Sequence, residues 1–380
     1  MTLCVAVTLM GIPVSSDVTV IGGGPAGLAA AIAIAQKGYR ANLFDCAVPP
    51  VDKACGEGLM PDSVGVVQRL GVAIPPETGA RFRGIRFSNG RSSVLADFPR
   101  GEGIALRRTA LHTLLKDRAE ACGVDLVWGV KHVQLVDGGV SVDGKFIGSR
   151  LVIGADGQNS KVRRQAGLHR IRTERQRFGF RRHYRTAHWS SYMELHWGPK
   201  SQIYITPVTK DEICVSLISR DPQLRLEGAL KDYPEVSERL RGAAPISSER
   251  GALTVSRSLR SVCRPGLALV GDASGSVDAV TGEGMCLAFK QALALADAFA
   301  AGDLRSYETV HRGISLRPRT MASLMLMLDK HSGIERRVLA ALARHPGVFA
   351  SLLAIHVGER SFGDLVCWQS VDFCRAFLTA

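Results

Sequence analysis

Three glycines near the N-terminus have the spacing that binds a dinucleotide pyrophosphate. Gly22, Gly24 and Gly27 follow a short β-branched run at residues 18–21 and open an Ala-rich segment with helical character. In such a turn the glycines allow a tight bend, close approach of the backbone to the phosphates, and close packing of helix on strand. Asp45, about twenty residues later at the end of the next apolar run, is placed to bind a ribose hydroxyl. The segment therefore predicts a βαβ dinucleotide site.

Two further predicted strands end in acidic glycine turns. One is Gly154–Arg163 (GADGQNSKVR) and the other is Gly271–Ala273, which is followed by Thr281–Met285 (TGEGM) and a helix. A carboxylate at Asp272 can bind a ribityl hydroxyl, and a glycine turn at a helix start lets N–H groups face the electron-rich edge of a reduced flavin. The three motifs together indicate FAD rather than NAD.

These motifs resemble those of the flavoprotein family that includes para-hydroxybenzoate hydroxylase, other single-component aromatic monooxygenases and geranylgeranyl reductases. The resemblance spans about residues 17–330 and implies that the GADG segment contacts both FAD and a transiently bound NADPH or NADH. It also implies an FAD-contacting arginine in an RxxL pattern, which maps onto Arg108, with Arg107 as its neighbour in a shifted register. The chain has no second GxGxxG, in agreement with a single Rossmann-like fold. The predicted FAD contacts are Gly22, Gly24, Pro25, Ala26, Gly27, Asp45, Arg108, Asp156, Gly157, Gly271, Asp272, Gly282, Gly284 and Met285.

The same residues leave two subfamilies open. The aromatic hydroxylases continue their GD motif as GDAAH and place a proline before the final glycine turn, whereas this chain has Gly271–Gly275 (GDASG) and Ala279–Gly284 (AVTGEG). That version, together with Lys53–Leu59 (KACGEGL), looks closer to geranylgeranyl reductases. The reductases' Tyr-x-Trp-x-Phe-Pro substrate motif is reduced here to Tyr204–Pro207 (YITP). Neither pattern is matched throughout.

Candidate catalytic residues are few. The resemblance to the reductases makes Cys55 a candidate proton donor beside the flavin, although a free cysteine is more often a small buried hydrophobe. His183, His188 and His196 lie on predicted strands and can act in acid–base chemistry near neutral pH, although a structural role is commoner for each. We interpret Glu283 as a turn residue favoured by the helix dipole.

The elements that position these residues predict an α/β fold. It consists of a Rossmann-like FAD-binding domain (GR2 type), an inserted antiparallel β-sheet substrate domain and a helical C-terminal segment. Asn89-Gly90 between alternating runs predicts a hairpin, and leucine spacing predicts a helix over Arg108–Ala121. We expect the FAD-binding domain at residues 1–80, 100–165 and 255–320, the substrate domain at 81–99 and 166–254, and the C-terminal segment at 321–380.

The composition of the chain restricts which classes of partner it is expected to bind. The nine cysteines show no CxxC or close Cys/His pairing, so we expect neither a metal site nor a disulfide framework. The net charge of +13 attracts anions, but the densest basic stretch, Arg163–Arg185, lacks regular aromatic interleaving, so we expect no nucleic-acid partner. Peripheral contact with an anionic membrane stays open. No apolar run reaches about 18 residues, and the first sixteen residues read as an N-terminal extension rather than a signal peptide, so we expect a cytoplasmic protein.

The sequence therefore predicts an FAD-dependent oxidoreductase reduced by NADPH or NADH. The resemblance favours a monooxygenase that uses O2 to hydroxylate an apolar aromatic or polyketide-like small molecule through a flavin C4a-hydroperoxide. The alternative is reduction of isoprenoid carbon–carbon double bonds, indicated by the CGEGL and TGEGM segments. A third hypothesis is a non-catalytic lipid-surface protein, whose membrane binding would weaken with salt and survive loss of FAD. The oligomeric state is not indicated.

Overall fold

The computed structural model describes residues 15–365 and Phe377. Residues 1–14 of the predicted sixteen-residue extension and most of the last fifteen residues lie outside the described part, and the extension's last two residues, Ser15 and Ser16, instead begin β1. The strands are β1 (Ser15–Ile21), β2 (Ala41–Asp45), β3 (Gly58–Leu59), β4 (Ala80–Phe82), β5 (Gly84–Ser88), β6 (Ser93–Asp97), β7 (Gly103–Ala105), β8 (Asp125–Trp128), β9 (Val133–Val136), β10 (Gly139–Val142), β11 (Lys145–Gly154), β12 (Ile171–Arg185), β13 (Tyr192–Trp197), β14 (Ser201–Thr209), β15 (Glu212–Ser219), β16 (Ala244–Pro245), β17 (Arg250–Leu259), β18 (Cys263–Arg264) and β19 (Leu267–Leu269). The α-helices are α1 (Pro25–Gln36), α2 (Pro61–Arg69), α3 (Arg108–Ala121), α4 (Lys161–Gln165), α5 (Leu226–Leu230), α6 (Pro234–Arg239), α7 (Gly284–Ala300), α8 (Leu304–Lys330), α9 (Ser332–Arg344) and α10 (Pro346–His356).

The first sheet places the cofactor motifs at one edge. Its strands run in the order β18-β19-β11-β1-β2-β8, and the five from β19 to β8 are parallel, while β10 and β9 extend from β11 as antiparallel strands. Because the carboxyl ends of parallel strands meet at the same edge, the turns after β1, β11 and β19 lie side by side with the end of β2.

Alanine-rich helices allow close packing on this sheet. Residues 27–34 of α1 are almost fully buried, and α1 packs against α3 and α7. Small side chains bring these helices near the strands, so the start of α1 and the start of α7 both reach the edge where the cofactor motifs lie.

The second sheet is the inserted one. Its order is β16-β12-β15-β14-β13-β5-β6, with β17 also paired to β12. The predicted antiparallel insertion is confirmed, except that β13 and β5 pair in parallel. The predicted hairpin is β5–β6, and Gly90 in its loop has φ +76°. Residues 80–82 form β4, which pairs with β7 in a three-stranded sheet instead, and the domain boundaries stay a prediction.

Within its described part, the C-terminal segment is helical as predicted: α8, α9 and α10 follow one another with short breaks up to His356. α9 and α10 cover the β5–β6 hairpin, where the rings of Phe87 and Phe349 lie 4.9 Å apart. Over residues 15–365, no single helix combines the length and apolarity needed to cross a bilayer; α9 and α10 meet the criterion only jointly, with a bend of 106°.

Candidate cofactor and active site

In the glycine-rich turn after β1, two of the three motif glycines are tightly packed and one faces open space. Gly22 has φ +110°, and a side chain there would collide with the backbone of Ala155 and Asp156. A side chain at Gly27 would overlap the carbonyl oxygen of Gly22. At Gly24, by contrast, an added Cβ would meet nothing within 4 Å. The fold therefore requires glycine at positions 22 and 27, whereas Gly24 leaves room for a ligand.

The turn is also held by side chains that the motif does not contain. The backbone N–H of Gly23 and that of Ala47 both donate to the Asp45 carboxylate, the second at 2.7 Å. The Nε2–H of His112 donates to the Gly23 carbonyl at 2.9 Å, and burial lowers the pKa of this histidine. Asp45 thus positions the turn, and its contact with a ribose stays a prediction.

The GADG segment forms the second wall. Asp156 Oδ2 accepts from the backbone N–H groups of Lys161 (2.7 Å) and Val162 (3.1 Å) at the start of α4. Its Oδ1 is buried and finds no hydrogen-bond partner among residues 15–365. Gly157 has φ +79° and approaches Lys53, whose Nζ lies 3.9 Å from an ideal Cβ there. One carboxylate oxygen therefore supports the helix and the other is unsatisfied.

The turn after β19 is the third wall. Gly271 has φ +59°, its N–H donates to Gln291 Oε1 at 2.8 Å, and an added Cβ would lie 2.6 Å from that of Ala26. This contact brings the third turn against the start of α1. Asp272 is exposed to the cleft, and desolvation by the neighbouring protein raises the pKa of its carboxyl against the lowering effect of Arg108 and Lys53.

Behind this turn stands a small buried polar group. The Ser274 hydroxyl donates to the Gly271 carbonyl at 2.8 Å and lies 2.9 Å from His311 Nε2. Since that hydroxyl proton is used, the imidazole supplies the proton of the second bond. Burial lowers the pKa of His311 to about 4, so the ring is neutral.

Arg163 ties two of the walls together. Its Nη2 donates to the Gln158 carbonyl at 2.7 Å, and its Nη1 donates to the Ala273 carbonyl at 2.9 Å. Burial, aided by Arg257, lowers the pKa of Arg163 to about 10. The basic stretch from Arg163 to Arg185 thus begins with a buried structural cation, a role that charge counting alone does not reveal.

The TGEGM turn closes the slot. Gly282 has φ +68° and lies close to Met60, while an added Cβ at Gly284 would meet nothing within 4 Å. Glu283 between them is buried, and its Oε1 accepts from Arg317 Nη2 at 3.3 Å. Met285 is partly buried against the main core. As at Gly24, the open space at Gly284 fronts a helix N-terminus.

The CGEGL segment connects the slot to the inserted sheet through Glu57. This residue has φ +62°, its Oε1 accepts from the backbone N–H of Arg108 at 3.0 Å, and its Oε2 accepts from His183 Nε2 at 2.6 Å. Arg107 and Arg181 both approach His183 Nδ1 at 3.0 Å, and since guanidinium only donates, Nδ1 accepts and Nε2 carries the proton.

This arrangement separates the two arginines of the RxxL register. Arg107 is hydrogen-bonded to His183 and forms an ion pair with Glu212. The Nε atom of Arg108, by contrast, is buried and has no hydrogen-bond partner among residues 15–365. The free donor supports the assignment of the FAD contact to Arg108. Sequence reasoning missed the pairing of Glu57 with His183, because the two residues are far apart in the chain.

Of the remaining candidates, Cys55 lies on this loop, whereas His196 lies on β13 and His188 in the connection before it. Cys55 is half-buried, and its Sγ accepts from the backbone N–H of Glu57 at 3.3 Å. The donor atoms of Glu57, His183 and Cys214 lie within 4.8 Å of one another, and both ring nitrogens of His183 are already hydrogen-bonded. His196 is hydrogen-bonded to Glu194 at 2.9 Å and His188 to the Ser190 carbonyl at 3.1 Å.

The slot between these walls fits FAD. Open space at Gly24 and Gly284, an exposed acid at Asp272, and unsatisfied atoms on Asp156 and Arg108 are the features that an extended dinucleotide would use. When bound there, FAD supplies hydride and electron transfer; the protein supplies binding, orientation and proton management.

Known proteins resemble this chain in sequence and fold. Residues 15–303 match the FAD binding domain family. Menaquinone reductase of Mycolicibacterium smegmatis is 27% identical over 403 aligned positions, which cover 96% of each chain. Digeranylgeranylglycerophospholipid reductase of Thermoplasma volcanium is 30% identical over 302 positions, covering 71% of this chain and 74% of that protein. Among solved structures, the flavin-dependent brominase Bmp2 has a TM-score of 0.78 at 16% identity, covering 96% of this chain and 98% of its own. At such identity the structural likeness supports the fold alone.

Proposed function

The chain belongs to the FAD-binding flavoprotein family of aromatic monooxygenases and geranylgeranyl reductases, and we propose that within it this FAD-dependent oxidoreductase reduces carbon–carbon double bonds in an isoprenoid lipid. The observation that carries this proposal is the match to menaquinone reductase, which extends over 96% of both chains. A second relative is a digeranylgeranylglycerophospholipid reductase. Both names describe reduction of lipids with isoprenoid chains, and this likeness outweighs the preference for hydroxylation drawn from the motifs.

The residues that would hold the cofactor are those of the slot. The turn at Gly24 and the N-terminus of α1 suit the pyrophosphate, Asp45 the adenosine ribose, and Asp272 with Arg108 the ribityl region. The turn at Gly284 suits the flavin edge. We assign the supply of electrons to NADPH or NADH, which visits the same domain because the sequence has no second dinucleotide motif.

Saturating one double bond adds a hydride equivalent to one carbon and a proton to its neighbour. We assign the proton to the Cys55 thiol, which solvent then reprotonates. Cys55 is half-buried and lies in the loop between Lys53, beside the GADG segment, and Gly58, whose ideal Cβ lies 3.1 Å from Met193 Sδ of the inserted sheet. The loop thus joins the cofactor side to an apolar surface on which an isoprenoid chain can lie.

The decisive experiment reduces the purified FAD-loaded protein under anaerobic conditions and adds digeranylgeranylglycerophospholipid or menaquinone. We expect the lipid to reoxidise the flavin and mass spectrometry to show two added hydrogens per saturated bond, which for menaquinone must persist after any quinol has been oxidised back to the quinone. Reoxidation by neither lipid, or a product that takes oxygen from labelled dioxygen when air is admitted, would overturn the proposal; the second result would establish a monooxygenase.

The role of Cys55 is tested by Cys55→Ala against Cys122→Ala, a half-buried cysteine at the end of α3. We expect Cys55→Ala to lower the rate of flavin reoxidation by the lipid at least tenfold, while FAD affinity and flavin reduction by the nicotinamide stay unchanged. Equal rates for both variants would remove Cys55 from the mechanism without affecting the reductase assignment.

A further inference from the structure

A basic pocket lies away from the cofactor slot, between the loop of the β5–β6 hairpin and the start of α9. Its volume is about 360 Å³. It is lined by Asn89, Arg91, Ser92, Gly333, Arg336, Arg337 and Ala340. Nothing in the proposed reaction uses these residues, and none belongs to a cofactor motif.

The charge of this pocket is positive and largely uncompensated. Arg91, Arg336 and Arg337 are exposed, and none of them forms an ion pair within residues 15–365. The acid beneath them, Glu335, is buried and accepts from Asn89 Nδ2 at 2.8 Å, and burial raises the pKa of its carboxyl. Three guanidinium groups around one recess form a site for an anion with several oxygens, because each presents a planar fork of donors that matches phosphate.

The surroundings of the pocket favour a lipid phosphate over a free one. α8 ends immediately before the pocket, and its last turns expose Leu324 and Met327, which are 42% and 44% accessible. These two residues are three positions apart and therefore share a helix face. Met327 precedes the pocket residue Gly333 by six positions in the chain. A cluster of arginines combined with exposed apolar side chains is what binds the interface of an anionic bilayer.

On its inner side the pocket adjoins an apolar seam that leads toward the cofactor slot. Phe87, two residues before Asn89, packs on Phe349 and lies 6.4 Å from the Trp197 ring. The same apolar cluster includes Met193 and Met60, which contact the CGEGL and TGEGM segments. A protein held at a bilayer by this corner would thus present to the membrane the side from which apolar residues extend to the site of reaction.

We propose that Arg91, Arg336 and Arg337 bind the phosphate of an anionic phospholipid headgroup and so dock the protein on the bilayer that holds its lipid substrate. The docking surface is the pocket together with Leu324 and Met327. Only the identity of that substrate rests on the proposed function; binding of the phospholipid does not require turnover.

The test is co-sedimentation of the FAD-loaded full chain with vesicles. We expect binding to vesicles that contain phosphatidylglycerol, weaker binding to pure phosphatidylcholine, and loss of binding in high salt. Since each basic residue near an anionic surface contributes about fivefold, the triple variant R91Q/R336Q/R337Q should bind about a hundredfold more weakly.

The matched control is R185Q/R264Q/R305Q, which removes the same charge from three exposed positions elsewhere. It should bind vesicles within about twofold of the wild type, and flavin absorbance and unfolding midpoint should show both variants folded. Equal loss in both triple variants would overturn the proposal in favour of net charge alone. Binding of inorganic phosphate by the pocket without binding of vesicles would overturn it in favour of a soluble anion. Since vesicle binding is measured without turnover, these results are independent of the reductase assay.

Discussion

The Nδ1 atom of His356 lies 3.6 Å from Oε2 of Glu283, and neither atom has a hydrogen-bond partner within residues 15–365. His356 Nε2 must donate to the Thr281 carbonyl at 3.1 Å, so in a neutral ring Nδ1 carries a lone pair. A proton on Glu283 would give these two facing acceptors a donor between them. Burial raises the pKa of Glu283, which favours the protonated acid. The turn predicted to face the flavin thus contacts α10 at a pair of buried polar atoms, and the raised pKa favours a proton on the acid.

The first prediction concerns this proton. Because the folded-state pKa of Glu283 is raised, its contribution to stability is complete below its ordinary value of 4.5 and is lost as pH rises through the folded-state value. Glu283→Gln keeps an acceptor for Arg317 and a donor for His356 without titrating. We expect urea unfolding to show a stability advantage of Glu283→Gln over wild type that grows as pH rises above 4.5.

The control for this prediction is Glu77→Gln at an exposed position. Its stability difference from wild type should stay within about 0.5 kcal/mol at every pH. A pH-independent difference for Glu283→Gln would show that no proton is held between Glu283 and His356.

The second prediction concerns His311, whose contribution to stability changes with pH in the opposite direction to that of Glu283. The pKa of His311 is lowered to about 4, so its stabilising contribution is complete above 6.5 and is lost as pH falls toward 4. At 1.36 kcal/mol per pKa unit the full effect is at most about 3 kcal/mol. His311→Gln preserves the donor to Ser274 and does not titrate, so wild type should lose stability relative to this variant below pH 6.5. Chemical unfolding at several pH values measures this loss, with a variant at an exposed histidine, His132→Gln, as reference. Parallel plots of unfolding free energy against pH for wild type and His311→Gln would contradict the prediction.

The third prediction separates cofactor binding from folding within one motif. Gly24 has φ −70° and ψ 177° and faces open space, so Gly24→Val should leave the apoprotein folded and weaken FAD binding more than tenfold, about 1.4 kcal/mol. Gly27→Ala places its methyl group on the Gly22 carbonyl and should impair folding itself. FAD titration and apoprotein unfolding distinguish the two.

Gly65→Ala is the matched control, because this glycine lies in α2 and also faces open space. It should bind FAD normally and gain about 0.5–1 kcal/mol. Normal FAD binding by Gly24→Val would show that the pyrophosphate lies elsewhere.

The fourth prediction concerns the Glu57–His183 contact. Both oxygens of the carboxylate accept hydrogen bonds, so Glu57→Gln turns one acceptor into a donor facing the N–H of either Arg108 or His183. A buried unsatisfied donor costs about 1–3 kcal/mol, and we expect that loss in unfolding free energy together with weaker FAD binding. Glu227→Gln, at an exposed acid, should change stability by less than about 0.5 kcal/mol. Unchanged stability of Glu57→Gln would indicate that the contact contributes little.

Local patterns predicted much of this architecture. Several elements could be predicted because each depends on periodicity or turn chemistry within a short window of sequence. They are the bounds of α3, the β5–β6 hairpin and the strands that lead to the three turns. The parallel pairing of β13 with β5 could not, because it joins segments about a hundred residues apart with no signal in either. The roles of His112, Arg163 and His183 could not be predicted for the same reason, because their hydrogen-bond partners are distant in sequence. The assignments of cofactor contacts stay predictions that the variants above will test.

The strand order of the first sheet has a consequence for biosynthesis. β11 takes its place between β1 and β19, and the slot draws on residues from Gly22 to Gly284. A nascent chain that has not yet released α7 from the ribosome therefore has no complete flavin site, and until β19 emerges the outer edge of β11 has an unpaired hydrogen-bonding row. Flavin capture must be a late event in synthesis, and chains truncated before β19 should aggregate as colourless protein rather than accumulate as a small folded flavoprotein.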